Sequence, residues 1–180
     1  MSKWEIRLCI EDFDKSKIKR DNTFSLVEVK NKSFRIRDYE KDIKYICNSI
    51  DNRLEDWDGR PNIEVVKERL NSISNIFLFY HSLESKAIGW CWYSESMTYD
   101  WVNEVNKLPT KNSCYTGGFY IRKDINVPPS SGEQLYYHVL SNLLCRYKWV
   151  YGYVDSWNKP SIYISPVSYT HLTLPTILLV

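Results

Sequence analysis

The stretch Cys114–Ser156, "CYTGGFYIRKDINVPPSSGEQLYYHVLSNLLCRYKWVYGYVDS", holds two strand-like runs joined by one helix. "CYTGGFYIRK" and "KWVYGYVDS" are rich in the aromatic and β-branched residues that favour strands. Between them, apolar residues recur at helical spacing on one stripe: Leu135, Val139, Leu143 and Tyr147. A single crossover helix between two strands predicts a parallel pair within one sheet. The adjacent Gly117 and Gly118 predict a bulge or a close backbone approach in the first strand.

The residues before this stretch predict further strands and helices. "FSLVEVK", starting at Phe24, alternates like a strand, and "DYEKDIKYICNSI" has the spacing of an amphipathic helix with Asp38 as its N-cap. "PNIEVVKERLNSI" predicts a second helix, and "NIFLFYHS" and "KAIGWCWYS" predict a hairpin. A short helix is expected around residues 101–107, and a last one near Asn158. The order β-α-α-β-β-β-α-β-α indicates an α/β fold (α+β mixed sheet), with a central mixed β-sheet flanked by helices.

Composition limits the class of protein. The 180 residues are 43% hydrophobic and 15% aromatic, which is typical of one globular domain. A formal charge of +2 predicts no nucleic-acid partner. No run is long and apolar enough for a signal peptide or a membrane span, so we expect a cytoplasmic protein without a membrane partner. The cysteines, at positions 9, 47, 91, 114 and 145, lack paired or metal-ligand spacing, which predicts reduced thiols and no metal site.

Residues 166–180 differ from the rest of the chain, because they contain no Asp, Glu, Lys, Arg or Asn. "PVSYTHLTLPT" resembles the translation of a transposase-type sequencing adapter, and the remaining residues fit its sample index and stop codon. We therefore expect residues 1–165 to be the authentic domain, incomplete at its C-terminus, and 166–180 to be a non-native adapter-encoded tail, so that His171 has no function. Missing closing strands predict an uncovered, aggregation-prone edge beside "KWVYGYVDS". A Thr/Leu/Val-rich terminal strand is the alternative that composition alone permits.

A strand, a loop and a helix N-terminus in succession form an anion site, because free backbone N–H groups and the helix dipole point at one spot. The backbone donors are those at the predicted start of the helix: Ser130, Ser131, Gly132, Glu133 and Gln134. The alternative is an ordinary capping box, in which Ser130 or Ser131 is the N-cap and Glu133 or Gln134 closes the box.

These residues and the element order resemble the GNAT superfamily of acyl-CoA-dependent N-acyltransferases. "FYI" stands where that family has an apolar-aromatic-apolar triplet, and "PSSGEQLYYHVLSNLL" where it has a pyrophosphate loop, R/Q-x-x-G-x-G/A, and a striped helix. Asn158 and Ser161 match its N-x-x-S/A helix start. The resemblance implies that acyl-CoA is contacted by the triplet, the loop and the asparagine: Phe119, Tyr120, Ile121, Ser130, Ser131, Gly132, Glu133, Gln134 and Asn158.

The resemblance further implies an N-acetyltransferase that moves acetyl from acetyl-CoA to a primary amine by direct attack, without a metal. The alternative is a GNAT-like binding or structural module without catalytic activity. Departures from the family pattern include Pro129 in place of the basic or amide residue, and Ser130 and Gln134 in place of glycines. The family's tyrosine general acid falls at Ser165, with Tyr163 out of phase, so the resemblance assigns no acid.

Three side chains are candidate general bases: His81, Glu95 and Asp155. Each also fits a structural role, because polar residues commonly end strands. Aromatic residues of the predicted hairpin and beyond it are candidates to line an acceptor pocket or to form the core: Trp90, Trp92, Tyr93 and Trp101. The acidic loop 51–58 is either an attractor of a cationic amine or a solvated loop.

Overall fold

The computed structural model describes residues 3–9, 16, 23–30, 34–48, 63–72, 74–95, 111–122, 124–155 and 171–173. In chain order its elements are β1 (Lys3–Cys9), β2 (Phe24–Val29), a 3₁₀ helix (Phe34–Tyr39), α1 (Glu40–Cys47), α2 (Ile63–Ser72), β3 (Ser74–His81), β4 (Ala87–Ser94), β5 (Ser113–Ile121), α3 (Ser131–Leu144), β6 (Trp149–Asp155) and β7 (His171–Thr173).

The strands of the described segments form one seven-stranded sheet in the order β2-β3-β4-β5-β6-β1-β7. Neighbouring strands are antiparallel except β5 and β6, which run parallel and are connected through α3. The mixed sheet flanked by helices and the parallel crossover predicted from the sequence are therefore confirmed.

The sheet is covered on both faces by helices. Alternate residues of β3 and β4 point to opposite sides, so each central strand contributes to two core clusters. One cluster packs α3 through Leu135, Val139 and Leu143 against Phe77 and Phe79. The opposite cluster packs buried residues of α1 and α2 against the other side of the same strands: Ile43, Ile46, Val66, Leu70, Ile76, Leu78, Trp90 and Trp92. Burial on both faces explains why the sequences of β3 and β4 are nearly continuous apolar runs.

The N-terminal strand β1 was not among the predicted elements, although "KWEIRLC" alternates charged with apolar residues. It pairs antiparallel with β6 along its whole length, from Lys3 opposite Asp155 to Cys9 opposite Trp149. The prediction of an uncovered edge beside β6 is therefore wrong, because β1 occupies that edge. β7 pairs in turn with β1 through residues 171–173. These are backbone contacts that any sequence can make, so the adapter origin of the tail stays a prediction.

Two local predictions need correction or lie outside the described residues. Helix α1 begins at Glu40, its N-cap is Tyr39, and the cap makes no side-chain hydrogen bond. Asp38 instead lies in the preceding 3₁₀ helix, whose turn displaces the start of α1 and removes Asp38 from the capping position. The helices expected around residues 101–107 and from Asn158 fall outside the described part of the chain. Of the helices in the described segments, none has the length and apolar character that a membrane crossing requires.

The C-terminal end of α3 is fixed to the sheet by an ion pair. Arg146 donates to Glu28 Oε1 of β2 at 2.7 Å and lies over the Tyr93 ring at 5.2 Å. The Tyr93 hydroxyl also donates to Glu28. Burial raises the pKa of the Glu28 carboxyl, but the hydrogen bonds from Tyr93 and Arg146 and the charge of Arg146 outweigh it, so its pKa lies below the ordinary value.

Removing residues 1–10 should make the protein associate, because the deletion exposes the β6 edge that β1 covers. We expect dimers or larger species by size-exclusion chromatography with light scattering. Removal of residues 166–180 is the comparison: it leaves β1 on β6 and uncovers only the part of β1 that pairs with β7, so it should change the elution less. Equal monodispersity of the 1–10 deletion and the full chain would show that β6 does not need β1.

Glu28→Gln should lower the free energy of unfolding at pH 7 by roughly 1–3 kcal/mol, because it removes hydrogen bonds to a charged group. The folded pKa of Glu28 is depressed, so its contribution is present above the unfolded pKa and lost as the pH falls through the folded value. Urea denaturation of both proteins should therefore converge in acid. Glu40→Gln, which breaks an exposed pair with Lys67, is the control and should cost less. A pH-independent difference between Glu28→Gln and the unmodified protein would contradict this account.

Candidate functional site

Strands β5 and β6 diverge and open a wedge in the sheet. Their parallel ladder joins Ser113 to Trp149, Cys114 to Val150 and Tyr115 to Tyr151. The ladder ends there, although β5 continues to Ile121 and β6 to Asp155. The C-terminal halves of the two strands therefore border a gap.

A bulge in β5 lies where this divergence begins. Trp92 of β4 pairs with Gly117 and Trp90 with Tyr120, so Gly118 and Phe119 together oppose Cys91. Gly118 has a φ of 60°, in the left-handed region that glycine tolerates. A bulge bends its strand and increases the local twist, which turns β5 away from β6. The bulge predicted from the adjacent glycines is confirmed.

Buried polar groups of β4 and β5 contact one another beside the bulge. The Thr116 hydroxyl donates to the Trp92 carbonyl at 3.0 Å and lies 3.2 Å from Cys91 Sγ. Burial raises the pKa of the Cys91 thiol to about 12, so the thiol stays protonated and is unsuited to nucleophilic attack. Burial also raises the pKa of Cys47, to about 11, and that of Cys114. Cys47, Cys91, Cys114 and Cys145 are free thiols, in agreement with the sequence prediction for these four.

The triplet after the bulge connects β5 to both layers of helices. Phe119 packs against Phe79 and the α3 residue Tyr136, with ring centroids 5.2 and 5.4 Å away. Tyr120 faces the opposite side, where its ring lies 6.3 Å from that of Trp90. Ile121 returns to the α3 side, where it packs against the core cluster and lies near the first turn of that helix, since a Cβ at Gly132 would be 3.8 Å from Ile121 Cδ1. The triplet and the start of α3, predicted as parts of one site, are therefore adjacent.

The N-terminus of α3 has no side-chain cap. Ser130 is the N-cap residue, but its hydroxyl makes no capping hydrogen bond, and its backbone is helical (φ −79°, ψ −5°). Ser130 is therefore the N-cap that the alternative predicted, but its side chain forms no capping box, because this backbone conformation differs from the extended one that a capping side chain needs. Ser131 N–H donates to Pro128 O at 2.9 Å and Gln134 N–H to Ser130 O at 3.0 Å.

Between these bonded amides lie those of Gly132 and Glu133, and within the described part of the chain neither donates a hydrogen bond. Ser131 is 2% exposed, and within the described part of the chain its hydroxyl has no hydrogen-bond partner. The first turn of α3 thus combines open backbone donors with a buried hydroxyl that lacks a partner.

Two of the candidate bases have structural partners away from the wedge. His81 lies at the end of β3, where its Nδ1 accepts the Leu83 N–H at 3.2 Å and fixes the β3–β4 turn. Its ring meets the Phe24 ring edge-on, and it lines a surface cleft of about 540 Å³ beside β2. Glu95 follows β4 at the end where the β5–β6 ladder is closed, and it accepts the Tyr147 hydroxyl. Asp155 is the last residue of β6, so its backbone borders the open end of the wedge.

The aromatic candidates lie in the core. Trp90 is 1%, Trp92 6% and Tyr93 2% exposed, so the structure favours the core interpretation over an acceptor-pocket lining. The remaining candidates fall outside the described residues: loop 51–58, Trp101, Asn158, Tyr163 and Ser165. Within the described segments, no group of His, Cys, Asp or Glu side chains is arranged to hold a metal ion.

No protein-family model and no curated protein matches the sequence, whereas solved structures match the fold. A Drosophila protein superposes with a TM-score of 0.60 at 11% identity, over 96% of this chain and 48% of that one. A tandem GNAT protein from the clavulanic acid biosynthesis pathway gives 0.58 at 11% identity, over 92% and 48%. An aminoglycoside acetyltransferase from an uncultured soil metagenomic sample gives 0.50 at 14% identity, over 83% and 89%.

These likenesses show the fold, which is an α/β fold of the GNAT type. The chain spans about half the length of the first two proteins, since it covers 48% of each.

Gly118→Ala should lower the free energy of unfolding by about 1–3 kcal/mol, because an L-residue is strained at positive φ. Its new Cβ would also lie 2.9 Å from Trp92 Cδ1. Gly132→Ala is the matched control, since its Cβ meets only Ile121 Cδ1 at ordinary contact distance and helices favour alanine. Chemical denaturation measures both. A loss at Gly132 as large as that at Gly118 would contradict the assigned bulge.

Proposed function

We propose that the chain is an N-acetyltransferase that transfers an acetyl group from acetyl-CoA to a primary amine. The observation that carries the proposal is the meeting of two features. The wedge between β5 and β6 opens beside the uncapped N-terminus of α3. One ligand with an extended amide arm and a pyrophosphate matches both features, and acyl-CoA has both parts.

The bulged strand suits the arm of the cosubstrate. An extended ligand with amide groups binds beside a strand by the same backbone hydrogen bonds that join neighbouring strands. Phe119, Tyr120 and Ile121 lie on β5 beyond the last residue paired with β6, so their strand borders the wedge. We assign the pantetheine arm to this segment. Asn158, in the helix start that the sequence predicts, remains a predicted contact.

The first turn of α3 suits the pyrophosphate. The open amides of Gly132 and Glu133 and the positive end of the helix dipole favour an anion, and Ser130 and Gln134 flank them. The hydroxyl of Ser131 supports the assignment, because a buried hydroxyl without a partner costs about 1–3 kcal/mol, and a ligand oxygen would supply one.

Direct attack of the amine on the thioester requires few catalytic groups from the protein. The neutral amine nitrogen forms a bond to the thioester carbonyl, the C–S bond breaks, and the thiol leaves with a proton while the amine loses one. A strand N–H beside the bulge would stabilise the oxyanion of the tetrahedral intermediate. Of the three candidate bases, Asp155 alone ends a strand that borders the wedge. Glu95 and His81 are assigned structural roles.

A second candidate function, a GNAT-like binding or structural module without catalysis, rests on Glu133. This carboxylate lies in the helical turn assigned to the pyrophosphate, where its negative charge opposes a phosphate. Binding and turnover experiments separate the two candidates.

Isothermal titration calorimetry should give a dissociation constant for acetyl-CoA below about 1 mM, and thiol release should accelerate when a panel of primary amines is added. Glu133→Gln should tighten acetyl-CoA binding by about 2- to 5-fold at low salt, and less at high salt, because it removes a charge beside the phosphates. Glu64→Gln is the matched control, since Glu64 occupies the first turn of α2, a helix on the opposite face of the sheet from α3, and should not change binding.

Absence of heat at millimolar acetyl-CoA would rule out the enzyme. Binding without thiol release for any amine in the panel would favour the module. An equal effect of Glu133→Gln and Glu64→Gln would contradict the assignment of the pyrophosphate to α3.

A further inference from the structure

Arg122 immediately follows β5, and its guanidinium is buried where strand and loop meet α1. Only 8% of the side chain is exposed, which is unusual for arginine unless its charge is compensated. We propose that Arg122 is a positioning residue that sets the place of the α3 N-terminus relative to β5. As a role in ligand binding, this inference rests on the proposed function.

The side chain and backbone of Arg122 join three parts of the fold. Its Nε donates to Asp124 Oδ1 at 3.0 Å, and its Nη2 donates to the other oxygen of the same carboxylate. Its Nη1 donates to the Tyr45 carbonyl of α1, and the guanidinium lies 3.7 Å from the Tyr45 ring centroid. Its backbone N–H donates to Ile88 O of β4 at 2.8 Å. The residue therefore connects the end of the sheet, α1 and the start of the β5–α3 segment.

The short segment from Asp124 to Ser131, which leads into α3, is held by further hydrogen bonds and core contacts. A shift of its first residue is therefore transmitted to its last. Val127 N–H donates to Ile125 O at 3.0 Å, and both side chains pack against the core cluster below α3. The turn ends with the hydrogen bond from Ser131 N–H to Pro128 O. Few residues separate Asp124 from Ser131, and proline restricts the backbone between them. Loss of the hydrogen bonds from Arg122 to Asp124 should therefore destabilise the first turn of α3.

The geometry requires a guanidinium. A planar fork engages both oxygens of Asp124 and stacks on the Tyr45 ring at once, whereas an ammonium group cannot do both. The Arg122 guanidinium also holds the pKa of the Asp124 carboxyl below its ordinary value, so this carboxylate stays charged at neutral pH. Lys86 lies 4.6 Å from the same ring, but no contact with Asp124 is observed.

The test compares Arg122→Met and Arg122→Lys with Arg146→Met. Arg146 also pairs with a carboxylate and lies against aromatic rings, but at the opposite end of α3. Hydrogen exchange of the unliganded protein follows the bonded amides of Val127, Ser131 and Gln134. Both Arg122 variants should accelerate exchange there by about tenfold, the loss of a bond to a charged group, whereas Arg146→Met should not.

With acetyl-CoA, Arg122→Met and Arg122→Lys should raise the dissociation constant about 10- to 100-fold and leave kcat at saturation within about twofold. Arg146→Met should lower the melting temperature without changing the dissociation constant. If Arg122→Met fails to fold, Asp124→Ala replaces it, because that change removes both acceptors for Arg122 on the loop and keeps the bond from Arg122 to the Tyr45 carbonyl.

Unchanged exchange at Val127, Ser131 and Gln134 in folded Arg122 variants would overturn the positioning role, whether or not acetyl-CoA binds. Accelerated exchange in a protein that does not bind acetyl-CoA would support the positioning role and reject the proposed function. Equal losses of affinity in the Arg122 and Arg146 variants would reduce Arg122 to a general contributor to stability and overturn the inference.

Discussion

The left-handed backbone at Gly118 is the constraint on which the site depends. A parallel pair of strands buried inside a sheet normally stays hydrogen-bonded over its length, because unpaired peptide groups are costly. The extra residue at the bulge turns β5 out of that ladder after Tyr115. Without the bulge, the edge would be sealed by β6.

The packing of the helices on the two faces of the sheet determines which groups lie beside the gap between β5 and β6. Because α3 follows β5 directly and packs on one face, its N-terminus is carried to the end of the diverging strand. Helices α1 and α2 occupy the other face, and α1 supplies the carbonyl to which Arg122 donates. Core packing and site geometry are thus coupled through the residues where β5 ends.

Much of the fold could be predicted because the spacing of apolar residues along the sequence reflects which side chains are buried. The stripe of α3 and the apolar runs of β3 and β4 are set by which side chains face the core, and the two glycines indicated the bulge. Other features depend on distant partners. Strand β1 forms by pairing with β6, a partner that is distant in sequence and that no local pattern indicates, although the alternation of charged and apolar residues in β1 was a usable signal. Asp38 and Ser130 have side chains that can cap a helix, but a 3₁₀ turn moves Asp38 out of the N-cap position, and Ser130 is the N-cap with a helical backbone that leaves its hydroxyl without a capping bond. The separation of His81 and Glu95 from the wedge follows from strand order and register, which no local pattern contains.

The pairing of β1 with β6 has a consequence for how the chain folds. Cys9 meets Trp149, so the ladder joins residues separated by most of the sequence. Contacts of such long separation require a large loss of loop entropy before they yield any stabilisation, and they form slowly. During synthesis β1 leaves the ribosome well before its partner strand, which is made only after α3. The half-sheet from β2 to β5 can form in the meantime, and the docking of the N-terminal strand is then a late step that completes the sheet.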